Sequence, residues 1–193
     1  MTQTYEEMDA IAMLKADHRK VEDLFEKFES ARGKDRKQAL AEEACLELKV
    51  HTLIEEEIFY PACRGEIDDA DLNEAYVEHD AAKLLINEIE RGGPDEAFYD
   101  AKVKVLSEMI EHHVKEEERY SEGLFAQARE AGLDMGDLAD RMRARRRDAM
   151  AQLKGHPEIP AETRTFQGDD IESALADEPL SPARPADDLA ALR

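Results

Sequence analysis

The sequence predicts an all-α protein: an up-down-up-down four-helix bundle with a short fifth helix and a flexible C-terminal tail. Three observations carry that prediction. First, the composition is 38% charged and 42% hydrophobic, rich in Ala, Leu, Glu, Lys and Arg and without Trp, which favours long helices over sheets. Second, apolar residues recur at alternating spacings of three and four, the seam of a bundle helix. Third, one pattern occurs twice, a lone histidine followed by a histidine with a glutamate one helical turn later. The first copy is His18, His51 and Glu55, and the second is His79, His113 and Glu117. The lone histidines are offset by 61 residues and the other two positions by 62.

The first helix, about 6–31, places Ile11, Leu14, His18, Val21, Phe25 and Phe28 on one stripe and closes at Gly33, where a left-handed cap is easiest. The second, about 34–60, carries Leu40, Ala44, Leu48, His51, Glu55 and Ile58, with Pro61 after it. An acidic connector leads into a third, about 70–91, with Leu72, Ala75, His79, Ala82, Ile86 and Ile89 on its seam. The sequence GGP at 92–94 ends that helix and allows a tight reversal. The fourth spans about 95–131, with Tyr99, Val103, Leu106, Ile110, His113, Glu117, Tyr120 and Leu124 on one stripe, and stops at Gly132. These four make a bundle domain over 6–131, followed by an accessory amphipathic helix at 136–154 that is rich in arginine. Five of the seven prolines lie beyond Gly155 and acidic residues outnumber basic ones there, so 155–193 reads as a flexible acidic tail, with a brief helix available at 169–176.

The formal net charge of −21 argues against a nucleic acid partner. No stretch has the length or apolarity of a membrane span and the N-terminal residues lack the pattern of a secretion signal, which makes the cytoplasm the expected location. Cys45 and Cys63 form no disulfide framework and read as small helix-packing residues. The run Arg141, Arg143, Arg145, Arg146 and Arg147 reads first as a solvated helix face and second as a partner contact.

His18, His51, His79 and His113 each occupy a seam position where a bundle calls for Leu or Ile, and Glu55 and Glu117 do so one turn further on. A lone seam histidine is ordinary, but four with two glutamates are not. Burying ionised carboxylates without partners costs several kcal/mol, and two cations remove the difficulty while taking neutral imidazoles as ligands. Because residues i and i+4 share a helix face, His51 with Glu55 and His113 with Glu117 can each approach one metal pair. His112 lies about 100° off the seam and reads as flanking, as do Glu56, Glu57, Glu116 and Glu118. Mixed imidazole and carboxylate donors fit iron, manganese or zinc. Bridging carboxylates favour two oxo- or hydroxo-bridged non-haem irons, with manganese second. A bundle without metal would leave six core polar groups unexplained.

The runs ADHR (16–19), HTLIEEEIFYP (51–61), EHD (78–80) and HHVKEEE (112–118) resemble the hemerythrin family, specifically its bacterial HHE cation-binding domains, over about residues 8–130. The resemblance implies a non-haem di-iron centre that meets O2 or its reduced products. Two departures matter. The oxygen carriers of that family have a fifth histidine where this chain has Lys83, and an aspartate five residues after the last ligand histidine where this chain offers Glu117 at four. Tyr76, Glu22 or water could fill the missing position. An under-ligated iron suits O2 or peroxide activation, and with the resemblance it implies catalase-like peroxide decomposition in oxidative-stress defence. The alternative is a non-enzymatic sensor or store for O2, NO or iron. Repair of iron–sulfur clusters fits less well, because residues 1–8 contain no cysteine.

Overall fold

The computed structural model describes residues 5–166, and among them it contains helices and connections but no strand. After a 3-10 turn at Tyr5–Glu7, α1 (Ala10–Ser30) starts at Asp9, whose side chain accepts the Ala12 N–H. Its expected seam is its buried face. Gly33, at φ +90°, turns the chain into α2 (Lys34–Ile54). A connector ending at Asp68, which caps Ala70, leads to α4 (Asp69–Gly92), and Gly93 at φ +71° turns the chain toward α5 (Tyr99–Glu117). Helices α1 and α2 pack as one hairpin and α4 and α5 as another, with α1 against α5 and α2 against α4 closing the bundle.

Between α2 and the short α3 (Tyr60–Cys63) lies a π turn, Glu55–Phe59. The chain therefore stays helical through Pro61 instead of ending before it. Proline lacks the N–H that a helix carbonyl needs and its ring presses on that carbonyl; a widened turn just upstream accommodates both.

The expected fourth helix is divided. It breaks after Glu117, resumes as α6 (Leu124–Glu130), and leaves Tyr120, placed above on the seam, 98% exposed. Helix α7 (Met135–Leu153), capped by Asp134, lies against α1, α2 and the π turn. Its arginines divide as well. Arg141 and Arg147 are exposed, but Arg146 is mostly covered and bonds Asp17 (3.0 Å) and Glu47 (2.6 Å), and Arg145 pairs with Glu57 (2.6 Å). Residues 155–166, read above as the start of a flexible tail, run back across the bundle, where Asn87 exchanges two hydrogen bonds with Ala161. The helix expected at 169–176 lies outside the described residues.

Beside a small cluster of Val50, Ala149 and Leu153 between α2 and α7, two large apolar clusters fill the interior. One contains Leu14, Ile54, Leu72 and Phe125; the other contains Val21, Leu48, Ala82 and Ile110. On α1, α2 and α4 the histidine falls between residues of the two clusters, so the polar groups form a layer enclosed from both sides. Cys45 and Cys63 are free and buried in these clusters.

Candidate metal centre

All six seam residues converge. His18, His51, His79, His113, Glu55 and Glu117 are each no more than 3% exposed. The histidines meet in two pairs, with Nε2 of His18 3.1 Å from Nε2 of His51 and Nε2 of His79 3.1 Å from Nε2 of His113. Each carboxylate reaches one histidine of each pair. Glu55 Oε2 lies 3.0 Å from His51 and 3.2 Å from His79, while Glu117 Oε2 lies 3.4 Å from His18 and 3.5 Å from His113.

Three of the four outer nitrogens are held by carboxylates. Nδ1 of His18 donates to Glu118 (2.9 Å), of His79 to Glu56 (3.0 Å) and of His113 to Glu78 (2.8 Å), while Asp17 lies 3.7 Å from Nδ1 of His51. The twofold repeat therefore extends to the supporting groups. Glu56 and Glu118 each follow a seam glutamate, and Asp17 and Glu78 each precede a lone histidine. A carboxylate only accepts, so these contacts place the proton on Nδ1 and turn the Nε2 lone pairs of neutral imidazoles toward each other.

This donor set fits cations. Glu55 Oε1 and Glu117 Oε2 are buried with no hydrogen-bond partner. Two quartets, His51/Glu55/His79/His113 and His18/His51/Glu55/Glu117, each bring their donor atoms within 4.8 Å of one another. Neutral imidazole and carboxylate donors in such a set suit a transition metal.

Without metal, protons take part of that role. Burial disfavours a charge on His51, but Glu55 and Asp17 outweigh it and hold the imidazole up at about 10; for His79, Glu55 and Glu56 do the same, to about 9. Burial also opposes ionising Glu55, yet the His51 charge and hydrogen bonds from His51 and His79 hold its carboxyl well below the usual range. Burial and the Glu55 charge push Glu117 up to about 7. Burial takes His18 down to about 4 despite its bond to Glu118.

Tyr60 also faces the cluster, a residue the seam pattern gives no reason to select. Its hydroxyl donates to Glu117 Oε1 (2.8 Å) and lies 3.3 Å from both Glu55 Oε2 and His79 Nε2. In a π turn residues five apart stack, and the Tyr60 N–H bonds the Glu55 carbonyl. The turn thus rotates Tyr60 into line with Glu55; Pro61 is the sequence signal that could have pointed to it.

Neither residue offered above for the missing position faces the cluster in this way. The Tyr76 hydroxyl lies 3.5 Å from the Glu56 carbonyl with its ring packed on Tyr60, and Glu22 pairs with Arg19 (3.1 Å). Lys83, where the family histidine would be, is buried and bonds Glu56 and Asp80.

A helical bundle enclosing histidines and carboxylates arranged for cations defines a metal-binding bundle protein. The family model of the Hemerythrin HHE cation binding domain matches residues 9–128, and the chain belongs to that family. It is similar in fold to the crystal structure of a hemerythrin HHE cation binding domain-containing protein from Mycobacterium kansasii. The TM-score is 0.62 at 23% identity, over 81% of this chain and 96% of that one. No curated protein matches it significantly. None of the described helices is long and apolar enough to cross a membrane.

Proposed function

We propose that the cluster holds two non-haem iron ions and that the protein reacts with O2 or H2O2, with catalase-like decomposition of peroxide as the activity. His18 and His51 would ligate one ion, His79 and His113 the other, and Glu55 and Glu117 would bridge them. The observation that carries this reading is the pair of facing Nε2 contacts at 3.1 Å, each oriented by carboxylates at the outer nitrogens and spanned by both glutamates. Bound there, iron supplies a Lewis-acidic, redox-active centre.

The chain's own residues supply enclosure and proton handling. A void of about 10 Å³ lies between the histidines and Val21, Leu48, Ile110 and Val114, room for a water-sized molecule and not for an organic substrate. The Tyr60 hydroxyl donates to Glu117 Oε1 and lies 3.3 Å from Glu55 Oε2, so this phenol holds a proton at the centre.

The test is metal analysis of protein loaded anaerobically with ferrous iron, followed by addition of H2O2. Two irons per chain with sustained oxygen evolution supports the reading. Two irons with stable binding of O2 or NO and no turnover supports the sensor or store instead, and failure to retain iron overturns the iron assignment in favour of manganese or zinc.

A further inference from the structure

The segment after α7 reaches the metal centre from outside. Lys49 Nζ donates to the Ile159 carbonyl (2.5 Å), and Asn87 and Ala161 exchange bonds of 2.9 and 2.8 Å. Asp80 Oδ2 then accepts the Arg164 N–H (2.8 Å), the Thr165 N–H and the Thr165 hydroxyl (2.7 Å). These ties span a groove of about 370 Å³ lined by Thr52, Leu53, Lys83, Gln152 and Pro160, so residues 159–165 form a strap over α2 and α4.

The strap delivers Arg164 to Glu56. Arg164 Nε donates to Glu56 Oε2 (2.5 Å), and Glu56 Oε1 accepts from His79 Nδ1 (3.0 Å). Lys83 approaches both Glu56 oxygens, at 2.6 and 2.8 Å. The other half of the centre is built differently. Its matching carboxylate, Glu118, meets Arg19 (2.7 Å) and Lys15 (3.5 Å), both on the helix that carries His18. Lys83 is likewise on the helix of His79, whereas Arg164 comes from a segment 108 residues along the chain from Glu56. A distant segment also reaches the other half, where Arg146 of α7 bonds Asp17 beside His51, but there the imidazole lies 3.7 Å from the carboxylate, whereas Glu56 is hydrogen-bonded to His79 directly.

We infer that Arg164 is a positioning residue for His79: by fixing Glu56 it orients the imidazole, and the strap thereby makes the ion held at His79 and His113 slower to leave. This rests on the reading of the cluster as a two-metal centre. Outer partners of metal-binding histidines typically change metal affinity by about 10- to 100-fold.

The test loads the full chain with two equivalents of cobalt(II). It follows release to a chelator together with the visible ligand-field bands, for wild type, Arg164→Gln, Arg164→Lys and Arg145→Gln. Arg145 binds Glu57 on the same face and touches none of the six seam residues, so it controls for loss of a surface ion pair. Arg164→Gln is expected to release one of the two ions about 10-fold faster or more, with altered bands for that equivalent, and Arg164→Lys to restore part of the effect. Arg145→Gln is expected to match wild type. Wild-type rates and bands in Arg164→Gln, or the same acceleration in Arg145→Gln, would overturn the inference while leaving the metal centre standing. A wild type that takes up no cobalt would remove the two-metal reading and the inference with it.

Discussion

The Tyr60 hydroxyl donates a 2.8 Å hydrogen bond to Glu117 Oε1, joining α3 to the last residue of α5 across the histidine layer. Nothing on the α5 side repeats it. The position five residues beyond Glu117 is Glu122, an exposed residue of the turn that follows the helix. The two halves, alike in histidines, glutamates and supporting carboxylates, differ at this phenol.

Tyr60→Phe keeps the ring in its fully buried place and removes only the donor. Glu117 Oε1 then loses a buried partner, a change that costs about 1–3 kcal/mol. Denaturant unfolding of metal-free protein should show that loss. Because Tyr60 is read as a donor to Glu117 and not as a ligand, the variant should still retain two metal ions, and loss of one would reassign Tyr60 as a ligand.

On the proposed two-metal assignment, the twofold arrangement separates the six seam residues by consequence. Glu55 reaches a histidine of each pair, so Glu55→Ala should lower bound metal from two ions to none, whereas His113→Ala, which touches one pair, should leave about one. Elemental analysis of purified variants decides this, and equal losses would contradict the bridging role.

Much of this was legible in the sequence because heptad seams report burial. A polar residue at a seam position must be buried, and the i, i+4 spacing fixes which histidine and glutamate share a face. What failed to read were the places where the helical period changes. A π turn at Glu55–Phe59 brings in Tyr60, and the break after Glu117 takes Tyr120 off the stripe into solvent. Long-range ion pairs were equally hidden. Arg146 and Arg164 look like surface charges in sequence, and their partners lie 129 and 108 residues away, respectively, at Asp17 and Glu56.

Arg146 tests the cost of such a pair. It bonds Asp17 and Glu47, both at least nine-tenths buried, and Asp17 also supports His51. Arg146→Met keeps the apolar stem but leaves both carboxylates short of a cation, although Tyr5 and Lys20 still contact them. A loss of about 3 kcal/mol is expected in thermal or denaturant unfolding. A variant as stable as wild type would show that the Arg146 ion pairs add nothing to the docking of α7.

Removing metal should make stability depend on pH with a definite sign. His51 and His79 are held at about 10 and about 9 in the folded metal-free chain, above the 6.5 of an unfolded histidine. Groups raised in this way stabilise the fold fully below the unfolded value and lose that contribution as pH rises through the folded one. Glu117, raised to about 7, acts in the same direction at lower pH, while His18, lowered to about 4, opposes it only below about 6.5. Metal-free protein should therefore lose stability between pH 7 and about 10. Metal-loaded protein, whose imidazoles would be neutral ligands on the proposed assignment, should lose less over that range, and metal binding at pH 7 should release protons measurable by calorimetry in buffers of different ionisation heat.

The break after Glu117 depends on Gly123. Its backbone is at φ −69°, open to any residue, so the requirement is space. A Cβ there would lie 2.4 Å from the Glu117 carbonyl oxygen and 2.6 Å from that of Glu116. Gly123→Ala must therefore push α6 away from the end of α5. That shift would move Phe125, whose ring stacks on His18 at 5.8 Å, and would disturb the backbone that carries Glu117. A cost of about 1–3 kcal/mol is expected, seen as a lowered thermal midpoint with weaker metal retention. Gly136→Ala supplies the contrast. In the first turn of α7 its Cβ would approach only the Asp134 side chain, at 3.3 Å, so that change should be neutral or stabilising by up to about 1 kcal/mol. If both substitutions behave alike, the turn is not held by the close approach at Gly123.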